Sequence, residues 1–307
     1  MTVMMFREID NNAAPGDVMS DTIRIEQALS DILGAVHTDE APPRLAAAMR
    51  YAVFPGGARI RPRLCLAVAR ACGDDEPGVT DSAAAAIELL HCASLVHDDL
   101  PCFDDAAMRR GKPSVHKAFG ERLAVLGGDA LIVLAFQGLA AGCVRAPARL
   151  GRLLPIVSRS VGLPSGIAAG QAWECEPVVD LSVYQRAKTS ALFAAATQAG
   201  AAASGSPPEP WRLLGDRLGE AFQIADDILD VAGDAATLGK PTGQDAAHAR
   251  PSGAAELGLE GAIRRLGQLV DAAVASIPPC AGREALRDHV LQVAANLLPA
   301  GIAAKAA

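Results

Sequence analysis

Apolar positions along the chain recur at helical spacing and almost never alternate. Alanine and leucine dominate, β-branched runs are short, and aromatic residues make up only 4%. This pattern favours helices nearly throughout. Glycine and proline clusters punctuate it at "PGG" (55–57), "GDDEPG" (73–78), "RRGKP" (109–113), "RAP" (145–147), "GLPSG" (162–166) and "GSPPEP" (205–210), then at "GKPTG" (239–243) and "PPCAG" (278–282). Helical segments of about 15 to 25 residues fit between these breaks. The pattern predicts one all-α domain over residues 21–307, a large bundle of long, buried helices, preceded by a flexible tail at 1–20. Residues 123–144, "LAVLGGDALIVLAFQGLAAGCV", come nearest to a membrane span. Asp129, Gln137 and the glycines among them predict a buried core helix instead.

Composition narrows the field. Half of the 307 residues are apolar, enough for a sizeable core. A net charge of −7 argues against a nucleic-acid partner. The seven cysteines include no CxxC pair and are odd in number, which argues against a disulfide framework or a zinc site and fits a reducing, cytoplasmic setting. The first 20 residues lack the basic start and apolar run of a signal peptide.

Two acidic clusters carry the candidate chemistry. In "SLVHDDLPCFDDAAMRRGKPS" (94–114), Asp98, Asp99, Asp104 and Asp105 fall within eight residues. Pro101 should end the helix there, letting Asp104 turn back toward Asp98. In "GEAFQIADDILDVAG" (219–233), Leu218, Phe222, Ala225 and Leu229 mark an apolar helical stripe. Asp226 and Asp230 stack at i,i+4, and with Gln223 and Asp227 they fill a sector of roughly 100°. Carboxylates so crowded repel one another unless protonated or bridged by a cation. Mg²⁺ suits them, because it takes one or two carboxylates, several waters and substrate phosphate oxygens.

Basic residues stand beside these acids: Arg109 and Arg110 after the first cluster, Arg59, Arg61 and Arg63 in "GGARIRPRL", Lys188 and Thr189 in "YQRAKTSALF", and Lys240 in "LGKPTG". Arginine forks and lysine point charges bind phosphate oxygens. Together the pattern implies a ligand whose phosphates are held by metal on one side and by cations on the other.

The segments "LLHCASLVHDDLPCFDDAAMRRGKPSVHKAFGE", "FQIADDILD", "GGARIRP", "AKTSALF" and "LGKPTGQD" resemble, in order, the landmarks of the trans-isoprenyl diphosphate synthases. The likeness spans about residues 25 to 300. With "GQAWE" and its type of first motif, the chain looks most like the bacterial geranylgeranyl diphosphate synthases of carotenoid and related pigment pathways. The resemblance implies an all-helical bundle around a deep apolar cavity, working as a homodimer with three Mg²⁺ per site. It assigns Asp98, Asp99 and Asp104 to the first metal site and Asp226, Asp227 and Asp230 to the second. Arg109, Lys188, Thr189, Gln223 and Lys240 match the allylic diphosphate site; Arg61, His91 and Arg110 match that for isopentenyl diphosphate.

Such an enzyme ionises an allylic diphosphate (dimethylallyl, geranyl or farnesyl) and adds isopentenyl diphosphate to the cation. Asp98, Asp104, Arg109, Lys188 and Asp226 would carry the ionisation. In this family a bulky aromatic five residues before the first aspartate stops the growing tail. Here Ala93 holds that place and Ser94 follows, so a twenty-carbon product is expected; helix geometry alone puts Ser94 nearer the Asp98 face. Two departures stand out. Ala58 replaces the lysine of Gly-Gly-Lys-Arg, with Arg59 and Arg63 the nearest charges that could make up for it. Arg250 stands where a second lysine is expected. Rival readings are a farnesyl diphosphate synthase and an inactive regulatory subunit. A terpene cyclase is disfavoured by "DDILD", a di-iron bundle by the single Glu88-x-x-His91, and a P-loop by Pro241.

Overall fold

The computed structural model describes residues 15–178, 180–232 and 253–298. Helices run in the order α1 (Pro15–Val36), α2 (Pro43–Val53), α3 (Ile60–Ala71) and α4 (Pro77–Asp98), followed by a short hairpin of β1 (Met108–Arg109) and β2 (Lys112–Pro113). Then come α5 (Val115–Phe119), α6 (Glu121–Gly142), α7 (Pro147–Val161), α8 (Ile167–Trp173) and α9 (Leu181–Gln185). A π-helical turn (Arg186–Ser190) leads into α10 (Ala191–Ala203), and a 3₁₀ turn (Glu209–Trp211) into α11 (Arg212–Ala232). The described chain closes with α12 (Gly253–Ala275) and α13 (Arg283–Ala295). Proline opens α2, α4 and α7, where its missing N–H costs nothing. The all-α expectation holds. α1 starts at Pro15, inside the segment expected as the tail.

The core gathers Ile25, Leu29 and Leu33 of α1, Leu64 and Leu66 of α3, Ile87, Leu89 and Leu90 of α4, Leu131 and Leu139 of α6, and Phe193 of α10. Burying each such side chain stabilises the fold by about 1.5–3 kcal/mol. Alanines fill α10 and the middle of α4, so neighbouring helices approach closely. At Gly200, a Cβ would lie 2.4 Å from the Cys65 carbonyl oxygen of α3; at Gly215, 2.4 Å from the Ala194 Cα. α4 packs along α6, α10 lies against α3, α7 and α11, and α11 against α12. Glycine at 258, with φ of 68°, kinks α12.

α4 and α6 are both long and apolar enough to cross a membrane by length and composition. α4 is mostly enclosed by the bundle. α6 is less buried than the sequence suggests: it packs on α4 with one side and exposes Val125, Leu126, Asp129 and Val133 on the other.

The hairpin is the one place where the chain leaves helical geometry for a ladder among the described residues, pairing Met108 with Pro113 and Arg109 with Lys112. Its two turn residues, Arg110 (φ 53°) and Gly111 (φ 74°), are both left-handed. Two positive φ values define a type I′ turn, which matches strand twist but costs a non-glycine residue of order 1 kcal/mol.

Candidate active site

α4 ends at Asp98, and the chain turns back at once: the Asp104 N–H donates to the Asp98 carbonyl at 3.0 Å. Pro101 thus produces the reversal expected of it. The aspartates of this loop divide into two kinds. Asp99 is 2% exposed and takes the Arg109 guanidinium, with Nε at 2.9 Å from Oδ1. Its Oδ1 is taken up by Arg109, so this carboxylate anchors that arginine. Asp98 keeps a buried Oδ1 without a hydrogen-bond partner, 3.5 Å from Lys188 Nζ. Burial raises the Asp98 pKa, opposed by the Lys188 charge, with Asp104 raising it further. Burial also works against the charge of Arg109, but the hydrogen bond and charge of Asp99 more than offset it, and its pKa rises.

The same division appears on α11. Asp227 is 1% exposed and accepts from Gln223 Nε2 at 2.9 Å, while Asp226 and Asp230 are partly open. Spacing explains it: Asp226 and Asp230 share one helix face, and Asp227 is turned about 100° from Asp226 toward the packed side. Gln223 in turn accepts from Thr189 Oγ1 at 2.8 Å.

The π turn joins the two acidic rows. Lys188 reaches Asp98, and the next residue, Thr189, reaches the Gln223–Asp227 pair. Single π turns re-aim side chains within an otherwise regular helix, and here the turn aims two consecutive residues at two different helices. Glu174 completes the setting: its Oε1 accepts from Lys188 Nζ at 2.5 Å and from the Tyr184 hydroxyl at 2.6 Å. Sequence reasoning missed Glu174, although "GQAWE" had been singled out. It is the first acidic residue after Asp129, a signal that could have drawn attention to it.

A second group of cations lies across α3 and α4. Arg61 is 9% exposed and stacks its guanidinium on Phe193, 4.4 Å from the ring centroid, and on Phe222 at 5.5 Å. Its Nε has no hydrogen-bond partner, and Nη1 lies 3.5 Å from His91 Nε2. Burial lowers the Arg61 pKa to about 10. Burial, together with Arg61 and Arg110, also pushes His91 well below the usual histidine range. Arg110, at the hairpin tip, sits 3.9 Å from Glu88 Oε1.

Of the two substitutes considered for Ala58, Arg59 is engaged elsewhere and Arg63 has a buried Nε without a hydrogen-bond partner. Arg59 donates to Glu26 at 2.8 Å, to Glu88 at 2.6 Å and to the Val53 carbonyl at 2.9 Å. Arg63 lies in the electrostatic reach of Asp21 and Arg70, on the α1 side. Lys240 and Arg250 lie outside the described residues. Of the residues assigned to chain length, Ala93 is 1% exposed within the core cluster, whereas Ser94 is half-buried, its hydroxyl donating to the His91 carbonyl at 2.8 Å.

The donor set is all carboxylate oxygen, which suits Mg²⁺, and the unsatisfied Asp98 Oδ1 is the group a cation would complete. Among the described residues no three His, Cys, Asp or Glu side chains converge to enclose an ion. A magnesium site that borrows phosphate oxygens from its ligand does not require that they do.

The family model described as Polyprenyl synthetase matches residues 42–274. The geranylgeranyl diphosphate synthase of Cereibacter sphaeroides is 55% identical over 282 residues, 92% of this chain and 98% of that protein. The farnesyl diphosphate synthase of Geobacillus stearothermophilus is 38% identical over 270 residues, 82% of this chain and 90% of the relative. Among solved structures, a geranyltransferase of Helicobacter pylori complexed with magnesium and isoprenyl diphosphate has a TM-score of 0.75 and 31% identity. The match covers 93% of this chain and 97% of that one.

Proposed function

Because this chain belongs to the polyprenyl synthetase family, we propose that it condenses isopentenyl diphosphate with allylic diphosphates and releases geranylgeranyl diphosphate. The observation that carries this reading is the π turn, which ties the first acidic row to the second through Lys188 and Thr189. A diphosphate lying there meets carboxylates from two helices and cations between them.

Asp98 and Asp104 on one side and Asp226 and Asp230 on the other would hold Mg²⁺, three ions in all, with Asp99 and Asp227 bracing them from behind. Bound magnesium supplies Lewis-acid neutralisation of the departing diphosphate. Arg109 and Lys188 bind the remaining oxygens, and Asp99 and Glu174 hold those two cations in place before substrate arrives, so little reorganisation is needed as charge develops. Lys240 is assigned to the same diphosphate.

The allylic C–O bond breaks and its electron pair leaves with the diphosphate. Arg61, His91 and Arg110 hold isopentenyl diphosphate so that its double bond attacks the cation. The proton then lost passes to the released diphosphate. Arg61 is suited to its part: a buried guanidinium with an unsatisfied N–H and two aromatic faces needs an anion to complete it. His91, held neutral, can donate one hydrogen bond without adding to the charge.

A homodimer is part of the proposal. The outward face of α6, with Val125, Leu126 and Val133 around Asp129, is a largely apolar surface that a second copy would cover. All seven cysteines are free, as a reducing cytoplasm would keep them.

Product analysis of the purified chain with Mg²⁺, isopentenyl diphosphate and each primer in turn tests the reading. A twenty-carbon diphosphate is expected. A fifteen-carbon end product would make it a farnesyl diphosphate synthase, and absence of turnover with every primer would point to a regulatory subunit.

A further inference from the structure

Lys112 has no assigned part in the reaction, yet it is among the most tightly bound cations of the chain. Its Nζ donates to the Tyr51 carbonyl at 2.5 Å and to the Phe54 carbonyl at 2.7 Å, and lies 3.8 Å from the centroid of the Tyr51 ring. An ammonium has three N–H groups. Two are spent on carbonyls and the third faces an aromatic ring, so none remains for a diphosphate. The carbonyls belong to the end of α2, where the helix leaves acceptors without intrahelical donors and the dipole favours a cation. Lys112 therefore caps α2 from another element.

The cap closes a circuit around Arg110. Lys112 stands in β2, two residues after Arg110 in the type I′ turn. Phe54, which it grips, begins the loop that carries Gly57. A Cβ at Gly57 would come within 3.1 Å of Arg110 Nε, so the guanidinium lies against the bare backbone there. The Tyr51 hydroxyl adds a second tie, donating to the Pro113 carbonyl at 2.8 Å. Arg109, on the same hairpin, has its own anchor in Asp99, whereas the nearest carboxylate to Arg110 is Glu88 at 3.9 Å. With alanine at 58, the loop's remaining cation, Arg59, is held by Glu26 and Glu88, which makes the placement of Arg110 matter more.

We infer that Lys112 is a positioning residue for isopentenyl diphosphate: by clamping the hairpin to the end of α2, it fixes Arg110 against Gly57. The inference rests on the function proposed above.

The test is steady-state kinetics of Lys112→Met and Tyr51→Phe beside the native enzyme, varying each substrate separately, with thermal melts on the same preparations. Lys112→Met should raise KM for isopentenyl diphosphate about tenfold. KM for the allylic substrate and kcat should stay within about twofold, because Arg109 keeps Asp99. Tyr51→Phe should raise the same KM by about two- to threefold, and it alone decides the matter if the methionine variant does not fold. An unchanged KM for isopentenyl diphosphate, or an equal rise for both substrates, overturns the inference. Failure of the native enzyme to turn over would strike the proposed function instead.

Discussion

Asp98 combines a cost to the fold with the part proposed for it in the chemistry. Its Oδ1 is buried without a hydrogen bond, and burial raises its pKa despite Lys188 nearby. Asp98→Asn should lower kcat about a thousandfold, as expected for about 4 kcal/mol of lost transition-state stabilisation. The melting temperature should change little, since the lost ion pair with Lys188 is offset by the removal of a carboxylate held partly buried beside Asp104. Parallel kinetics and melts check both; residual activity near the native level would remove Asp98 from the site. The chain-length residues separate in the same way. Ser94→Phe would add bulk at a half-buried position on the Asp98 side and should shorten the product to fifteen carbons. Ala93→Phe would force a ring into the packed core as well, costing about 1–3 kcal/mol of stability. Chromatography of the products tells them apart, and an unchanged product from Ser94→Phe would contradict the steric account. The outer aspartates were legible in the sequence because their spacing states their face. The partners of the inner ones were less so: the hold of Arg109 on Asp99 depends on the hairpin that carries the arginine back to the end of α4.

Helices were legible where apolar spacing and proline starts agreed, and misjudged where one face has no partner within the chain. α6 reads as a core helix because it is mostly apolar with Asp129 and Gln137 interrupting it, and composition does not say which residues a neighbour covers. The π turn was invisible for a different reason: one wider turn in a long helix leaves the pattern almost unchanged, yet it sends Lys188 and Thr189 to different helices. At the far side of the bundle, α13 carries His289, whose Nε2 is buried without a partner and whose pKa is pushed down to about 4 by burial, then by Arg63 and Arg70. The unfolded chain takes up this proton near pH 6.5, the folded one only near 4, so protonation favours unfolding. Stability is full above about pH 6.5 and falls as the pH drops toward 4, with about 3 kcal/mol at stake. Melts of the native protein and His289→Gln from pH 7 to 4 should show a shallower decline for the variant. Parallel curves would mean that His289 does not contribute.

At the scale of the whole molecule, the sequence carried the fold class well, because alanine-rich helices separated by proline and glycine admit few other architectures. It carried less of how the site is assembled. Glu174 and Lys188 are 14 residues apart and Arg61 and Phe222 far more, and no periodicity links such positions. Association belongs to this scale too. If α6 forms the dimer, Leu126→Asp adds a second carboxylate beside Asp129 in place of an apolar contact and should yield monomers by sedimentation at micromolar concentration. A dimer that survives the change would place the contact elsewhere.

In the proposed mechanism two acidic rows share one diphosphate through magnesium. Calorimetric titration of inorganic pyrophosphate into the native enzyme, Asp98→Asn and Asp226→Asn, with Mg²⁺ and with chelator, addresses it without depending on turnover. Binding by the native protein that requires Mg²⁺ and is lost in both variants is the expected result. Binding that persists in chelator, or that survives either substitution undiminished, would contradict the account.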